Sequence, residues 1–410
     1  MNYNGRRKKG KEHYFGSICR FLAVFALFWG MAAVEVNAQI GFDFGPVPIL
    51  SDAVPRPPAQ VRPTMPAFPA ELPTTEQLRT ALERQLELRR SDSTLVETIS
   101  PATVLKMTGV YGAETRFLCR VASNANAAGT ATEPVYAVGI LCWSIPAGGR
   151  TLLSPTKNGM IPKVGYGYQR TGGEMLAILA EHRIADDYPI RLADETPRTL
   201  ADLVQAEKRL ASYYGDQALR AAGLAGYLTD ANLSWTGRFG ETLSLASLAE
   251  YELARPVLWN RREAVIRLIG LTRLWERFKR EIDAGTASPE ITESARALEK
   301  FFALVRPWVL SLADEQSGLW TGSYFSPAPE SPDPVAALES SAAILRWLFM
   351  TAADDEIRSE TTRRRVWNLG LLLAKTIPAN TQPANLSDRQ IDALTDALAV
   401  FMRYLEKTAP

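Results

Sequence analysis

SDRQIDALTDALAVFMRYL, residues 387–405, decides the fold class. Ser387 and Gln390 form a helix-opening pair, in which hydroxyl and amide can each satisfy a backbone N–H of the first turn. Ile391, Leu394, Leu398, Phe401 and Leu405 then recur at steps of three and four. That spacing puts them on one stripe of a 3.6-residue helix, ready to pack on a neighbour.

The same pattern extends upstream. Thr74 to Ser91 contains no Gly or Pro and opens with Thr75 just before Glu76 and Gln77. Thr199 and Asp202 make a second capping pair, followed by Leu200, Leu203, Val204, Leu210 and Ala211 on one face. Leu298, Phe301, Val305, Trp308 and Leu312 predict a helix that Pro307 should kink. Further helical windows fall at 173–185, 216–229, 242–254, 260–281, 335–352 and 360–376. No run alternates as a half-buried strand would, and the connectors are short. The expectation is an all-α domain over 74–410, in which consecutive helices pack as antiparallel pairs. Such pairs close into an α/α toroid or stack into an open helical-repeat array.

The N-terminal segment sets the expected compartment. Arg6, Arg7, Lys8, Lys9, Lys11 and Arg20 precede an uncharged apolar run from Phe21 to Val34, and Val36-Asn37-Ala38 ends in small residues. Basic, apolar and small-residue regions in that order are a secretory signal over 1–38, and the run is shorter than the roughly 20 residues of a membrane span. An uncleaved anchor is the alternative. The nine prolines between Pro46 and Pro73 make 39–73 an extended tether unable to sustain a helix. Removing the signal takes six basic and two acidic residues from a chain holding 46 and 45, leaving 40 against 43. A slightly acidic mature protein has no general attraction for nucleic acid or anionic membrane. No second apolar stretch is long enough to span a bilayer.

Export also bears on the cysteines. With Cys19 gone, Cys119 and Cys142 remain, and an oxidising compartment lets them bridge if their backbones come close. Such a bridge would stabilise by roughly 3 kcal/mol, and two separate thiols are the alternative.

Several pieces resemble a known family in their order. They are Gly139-Ile-Leu-Cys-Trp143, Gly165-Tyr-Gly-Tyr-Gln169, Gly173-Glu-Met-Leu-Ala-Ile-Leu-Ala180, Asp187-Tyr-Pro-Ile190, Ala201-Asp-Leu-Val-Gln-Ala-Glu-Lys208, Trp235 with Gly240-Glu241, and Gly318-Leu-Trp320. The stretch Val135–Ala374 thereby resembles exported planctomycete proteins of unknown function, themselves similar to the α/α toroid of terpenoid cyclases and protein prenyltransferases. The resemblance implies a toroid. It departs from the family where a Gly-Gly-Thr-His-Arg segment is replaced by Leu258-Trp-Asn-Arg-Arg-Glu-Ala264.

No reaction is named by these residues. After signal removal His182 is the one histidine left, and Cys142 has no ligand spacing around it, so zinc-dependent prenyl transfer is not expected. Asp186-Asp187 and Asp354-Asp355 lack the third acid of a cyclase magnesium site. No metal, cofactor or catalytic residue is assigned. Glu174, Glu181, Asp186, Glu241 and Asp314 fall near predicted helix ends, where a glycan-cleaving toroid would place two carboxylates. The glycine-rich Gly165–Gly173 reads as a structural turn, and the basic helix Arg261–Arg280 as a solvated face over a core stripe.

Aromatic loops carry the functional expectation. Trp143, Tyr166, Tyr168, Trp235, Trp320 and Tyr324, with Glu241, sit in or beside predicted turns, where flat faces suit a glycan or a protein segment. The competing reading makes them plugs between helix pairs. The expected function is an exported non-catalytic scaffold that binds a protein or glycan ligand through this aromatic loop face. The alternative is a polysaccharide- or lipid-acting enzyme with a carboxylate pair in the toroid cleft.

Overall fold

A computed structural model describes residues 68–69, 71–89, 94–122, 130–157, 159–256, 259, 261–326 and 333–409, all within the unit Arg56–Pro410. The expected signal at 1–38 and most of the proline-rich segment at 39–73 lie outside the described residues.

The described chain is mostly helical. In order come α1 (Thr75–Glu87), α2 (Pro101–Tyr111), β1 (Arg116–Ala122), β2 (Thr130–Tyr136), α3 (Ala137–Cys142), β3 (Leu153–Thr156), β4 (Gly159–Pro162) and α4 (Glu174–Glu181). There follow β5 (Pro189–Ile190), β6 (Arg198–Thr199), α5 (Leu200–Leu210), α6 (Ala218–Tyr227), β7 (Trp235–Thr236), β8 (Thr242–Leu243) and α7 (Leu245–Ala254). The rest is α8 (Arg262–Asp283), α9 (Pro289–Ser311), α10 (Pro334–Thr351), α11 (Asp354–Ile357), α12 (Glu360–Thr376) and α13 (Asp388–Lys407).

Capping follows the sequence closely. Ser387 and Gln390 exchange hydrogen bonds at the start of α13, and Asp202 accepts the Thr199 N–H at the start of α5. At α1 the capping box is Thr74 with Gln77, at the first residue of the expected Thr74–Ser91 window, and the helix ends at Glu87. Helix α9 runs through Pro307.

The all-α expectation needs correction, because among the described residues eight short strands form four antiparallel pairs. The largest pairs Arg116 with Tyr136 through to Ala122 with Thr130. Its alternation is weak because Pro134 interrupts β2 and polar residues stand on both faces, so the sequence shows no period of two. Helices α2 and α3 also lie outside the predicted windows. Residues 101–108 of α2 are all buried, so apolar residues occur without a stripe to reveal a helical period.

Helix contacts follow a regular order. Helices α2, α4, α6, α8, α10 and α13 each pack on the next, and α13 packs back on α2, so these contacts form a closed cycle. The intervening helices pack against members of that cycle: α3 on α2, α5 on α6, α7 on α6 and α8, α9 on α8, and α12 on α10 and α13. Helix α1 lies against α12 and α13. The cycle members supply much of the buried apolar surface, including Leu176, Leu224, Leu271, Trp347 and Phe401.

Trp320 locks the connection between α9 and α10. It is 1% exposed, its indole N–H donates to the Val309 carbonyl at 2.8 Å, and its backbone N–H donates to Ser341 Oγ. Trp320→Phe keeps most of the volume and removes that hydrogen bond, leaving the Val309 carbonyl with the Leu312 backbone N–H. It should lower stability by about 1–2 kcal/mol in urea denaturation while leaving ligand binding unchanged. A loss of binding at unchanged stability would instead make Trp320 a ligand contact.

Candidate functional site

The aromatic residues expected to form one face occupy separate places. Trp143 follows α3, donates from its indole to the Pro189 carbonyl at 3.0 Å, stacks on Tyr188 and lies under the Arg191 guanidinium. Tyr166 is 84% exposed, whereas Tyr168 is partly buried beside Arg150 and Lys163. Trp235, Trp320 and Tyr324 are buried, and the Tyr324 hydroxyl donates to Glu339. Glu241 accepts the backbone N–H of Phe239 in its own loop and that of Tyr213 in the connector after α5, which ties the two loops together. None of the seven lines the cavities described below.

The other candidates divide similarly. Cys119 and Cys142 are free thiols, so of the two alternatives the separate thiols hold. Cys119 sits in β1 opposite Glu133, while Cys142 is buried at the end of α3, where burial pushes its thiol up to about 12. Asp314 accepts from Ser317 and from two backbone N–H groups of its own turn. Glu174 is held by the Arg170 side chain and backbone at the start of α4. Among the described residues, no group of three His, Cys, Asp or Glu side chains is placed to hold a metal, and no helix is long and apolar enough to cross a membrane.

The cycle of helices surrounds a charged interior. Asp392 of α13 lies 2.6 Å from Lys106 of α2 and 3.1 Å from Arg170. Asp396, one turn further on, lies 2.6 Å from Arg262 of α8 and 3.0 Å from Arg346 of α10. Burial alone would push both carboxyls up, but the surrounding cations reverse this. Arg262, Arg170 and Lys106 hold Asp392 far below the usual range, and Arg262 and Arg346 lower Asp396. The reading of Arg261–Arg280 as a solvated face therefore fails. Arg262 points into this network, and Arg267 is 3% exposed against Glu252.

Next to this network opens a cavity of about 740 Å³. Its wall comes from late residues of all six cycle helices, among them Val110, Glu181, Gly226, Arg280, Met350 and Arg403. The six helices thus direct their C-terminal ends at one space and run in the same sense. Helix C-termini carry partial negative charge, which favours cations there. Arg183, Arg273, Arg280, Arg346 and Arg403 supply them, beside Glu181, Glu276 and Glu406. Arg273 pairs with Glu181, Arg346 with Asp396 and Arg403 with Glu406. Among the described residues, no carboxylate stands at ion-pair distance from Arg183 or Arg280.

Two carboxyls of this cavity are shifted in opposite directions. Burial raises Glu181, but Arg273, Arg346 and neighbouring His182 outweigh it and leave the group below its ordinary value. Burial raises Glu276, and the guanidiniums of Arg273, Arg280 and Arg403 offset this only in part. His182 closes α4 beside Gly112, and its Nε2 is buried without a hydrogen-bond partner.

Of this cavity, the sequence singles out Glu181 and His182 but neither the arginines as a group nor Glu276. Their signal is weak, because cations near helix C-termini are common without any ligand. Comparison with protein-family models, curated proteins and solved structures returns no match for this chain.

Proposed function

We propose that this chain is an exported α/α-toroid protein that binds a polar, anion-bearing ligand in its central cavity and carries out no reaction on it. The alternation of cycle helices with outer helices supports the toroid, with the cycle as its inner layer. The carrying observation is the cavity where six inner helices converge, of a size typical for ligand sites and lined by five arginines. Guanidinium forks suit carboxylate and phosphate groups, and Arg183 and Arg280 have no competing carboxylate among the described residues. The ligand site is thus moved from the aromatic loops to the centre. A non-catalytic role fits the interior acids, since Asp392 and Asp396 are each held by several cations.

One observation favours the enzyme reading. Glu181 and Glu276 share a cavity and are shifted apart, the arrangement that separates a proton donor from an ionised partner.

Calorimetric titration with a uronate oligosaccharide and with a neutral oligosaccharide of equal length tests both. The acidic ligand should bind saturably at one site, and Arg280→Ala should weaken it about tenfold or more. Unchanged affinity in Arg280→Ala would remove the cavity from consideration. Chain shortening by the wild type that is abolished in Glu276→Gln would replace binding with catalysis.

A further inference from the structure

Arg183 lines the central cavity just past the end of α4, in a backbone conformation that arginine seldom adopts. Its φ is 54°, in the left-handed region where a Cβ crowds the following carbonyl oxygen. The turn is a common helix ending. The Arg183 N–H donates to the Ala180 carbonyl at 3.0 Å, and the Ile184 N–H donates to that of Leu179 at 3.1 Å. Glycine is the usual residue at the position Arg183 holds.

The chain itself supplies the comparison. Helix α8 closes with the same two bonds, from the Gly285 N–H to Ile282 and from the Thr286 N–H to Glu281. There the left-handed residue is glycine, with φ 71°. The turn therefore has no need of an arginine. Nor does the end of α4 lack a cation, since Arg273 donates to the Ala177 carbonyl and pairs with Glu181. Among the described residues, no acceptor or carboxylate engages the Arg183 guanidinium. A strained residue with no local partner, facing a cavity, is the pattern of a functional position.

Its surroundings define the ligand group. Arg183 follows α4 and Arg280 lies in the last turn of α8, and both helices pack on α6. Between them α6 gives the cavity wall only Ala222, Ala225 and Gly226, nothing longer than a methyl group. Glu181, Glu276 and Glu406 line the same space, which disfavours a doubly charged phosphate against a singly charged carboxylate.

We infer that Arg183 determines the specificity of the central cavity and, with Arg280, takes a carboxylate of the ligand between the ends of α4 and α8. This rests on the cavity being a ligand site and names the acid it takes and the residue that selects it. Glycine would relax the turn but could not reach the acid.

Calorimetric titration of the full chain with the uronate oligosaccharide, paired with thermal unfolding of each variant without ligand, provides the test. Arg183→Gly should raise Tm by about 2 °C, because the strain is relieved, and weaken uronate binding about tenfold. Arg183→Ala keeps the strain, so it should weaken binding equally without raising Tm. A merely structural arginine would not separate stability from binding in this way. Glucose 6-phosphate should bind more weakly than glucuronate. Unchanged affinity in Arg183→Gly, a Tm no higher for Arg183→Gly than for Arg183→Ala, or equal or tighter binding of the phosphate would each overturn the inference. If Arg280→Ala weakens the uronate while Arg183→Gly does not, this inference falls and the cavity reading stands. Absence of saturable uronate binding by the wild type removes the cavity reading itself.

Discussion

Gly173→Ala should destabilise the fold by about 4 kcal/mol or more, enough to leave little native protein at modest urea concentrations. Gly173 caps α4 with φ 81° and ψ 0°, a left-handed conformation that costs an L-residue about 1–2 kcal/mol. Steric contact costs more than this backbone strain. A Cβ there would lie 2.3 Å from Cα and 2.6 Å from the backbone N of Arg220. Backbone of a buried helix cannot rotate aside, so α4 and α6 would have to separate. Arg220 is itself fixed, with its guanidinium 2.7 Å from Glu207 and 2.6 Å from Gln217 Oε1. Gly240→Ala is the control, because Gly240 has φ 87° with nothing within 4 Å of the added Cβ. It should cost only the backbone strain. Urea midpoints at constant m separate the two, and equal losses would contradict the close approach of α4 to α6.

Asp392→Asn should cost about 3–5 kcal/mol, because it leaves Lys106, Arg170 and Arg262 short of a shared counter-charge in the interior. The effect should depend on pH in a defined direction. The folded-state carboxyl is held far below its unfolded value of about 4. A depressed acid contributes stability that is fully present above the unfolded pKa and is lost as pH falls through the folded one. Wild type and Asp392→Asn should therefore differ by a constant amount from pH 7 to about pH 5. They should converge only as pH drops below about 4, which urea denaturation at each pH measures. A difference that closed between pH 7 and pH 5 would mean that another group carries the effect.

These two positions show how legible the chain is. Gly173 belongs to the glycine-rich stretch Gly165–Gly173, which reads as a structural turn, and Gly165, Gly167 and Gly173 do take positive φ. The turn is visible in the sequence, but its partner α6 is not, because no local pattern encodes which helix will approach the missing side chain. Asp392 and Asp396 stand beside the apolar stripe of α13, one turn apart. Nothing in that helix tells whether its carboxylates meet solvent or arginines from α8 and α10. The buried arginines of the basic helix at 261–280 escape sequence reading for the same reason. Arginine is so often exposed that burial shows only when its partners arrive from distant sequence.

Local energetics explains what the sequence determined by itself. Capping pairs and apolar stripes act within a few residues, so most helices, the caps at Thr199 and Ser387, and the mostly helical class follow from short-range pattern. Tertiary structure decided the closed order of helix contacts, the burial of Trp320 and Tyr324, and the separate thiols of Cys119 and Cys142. It also placed the arginine-lined cavity, whose wall draws on residues from Gly109 to Glu406. A site assembled from the ends of six helices has no local sequence pattern, because its geometry exists only once those helices have packed.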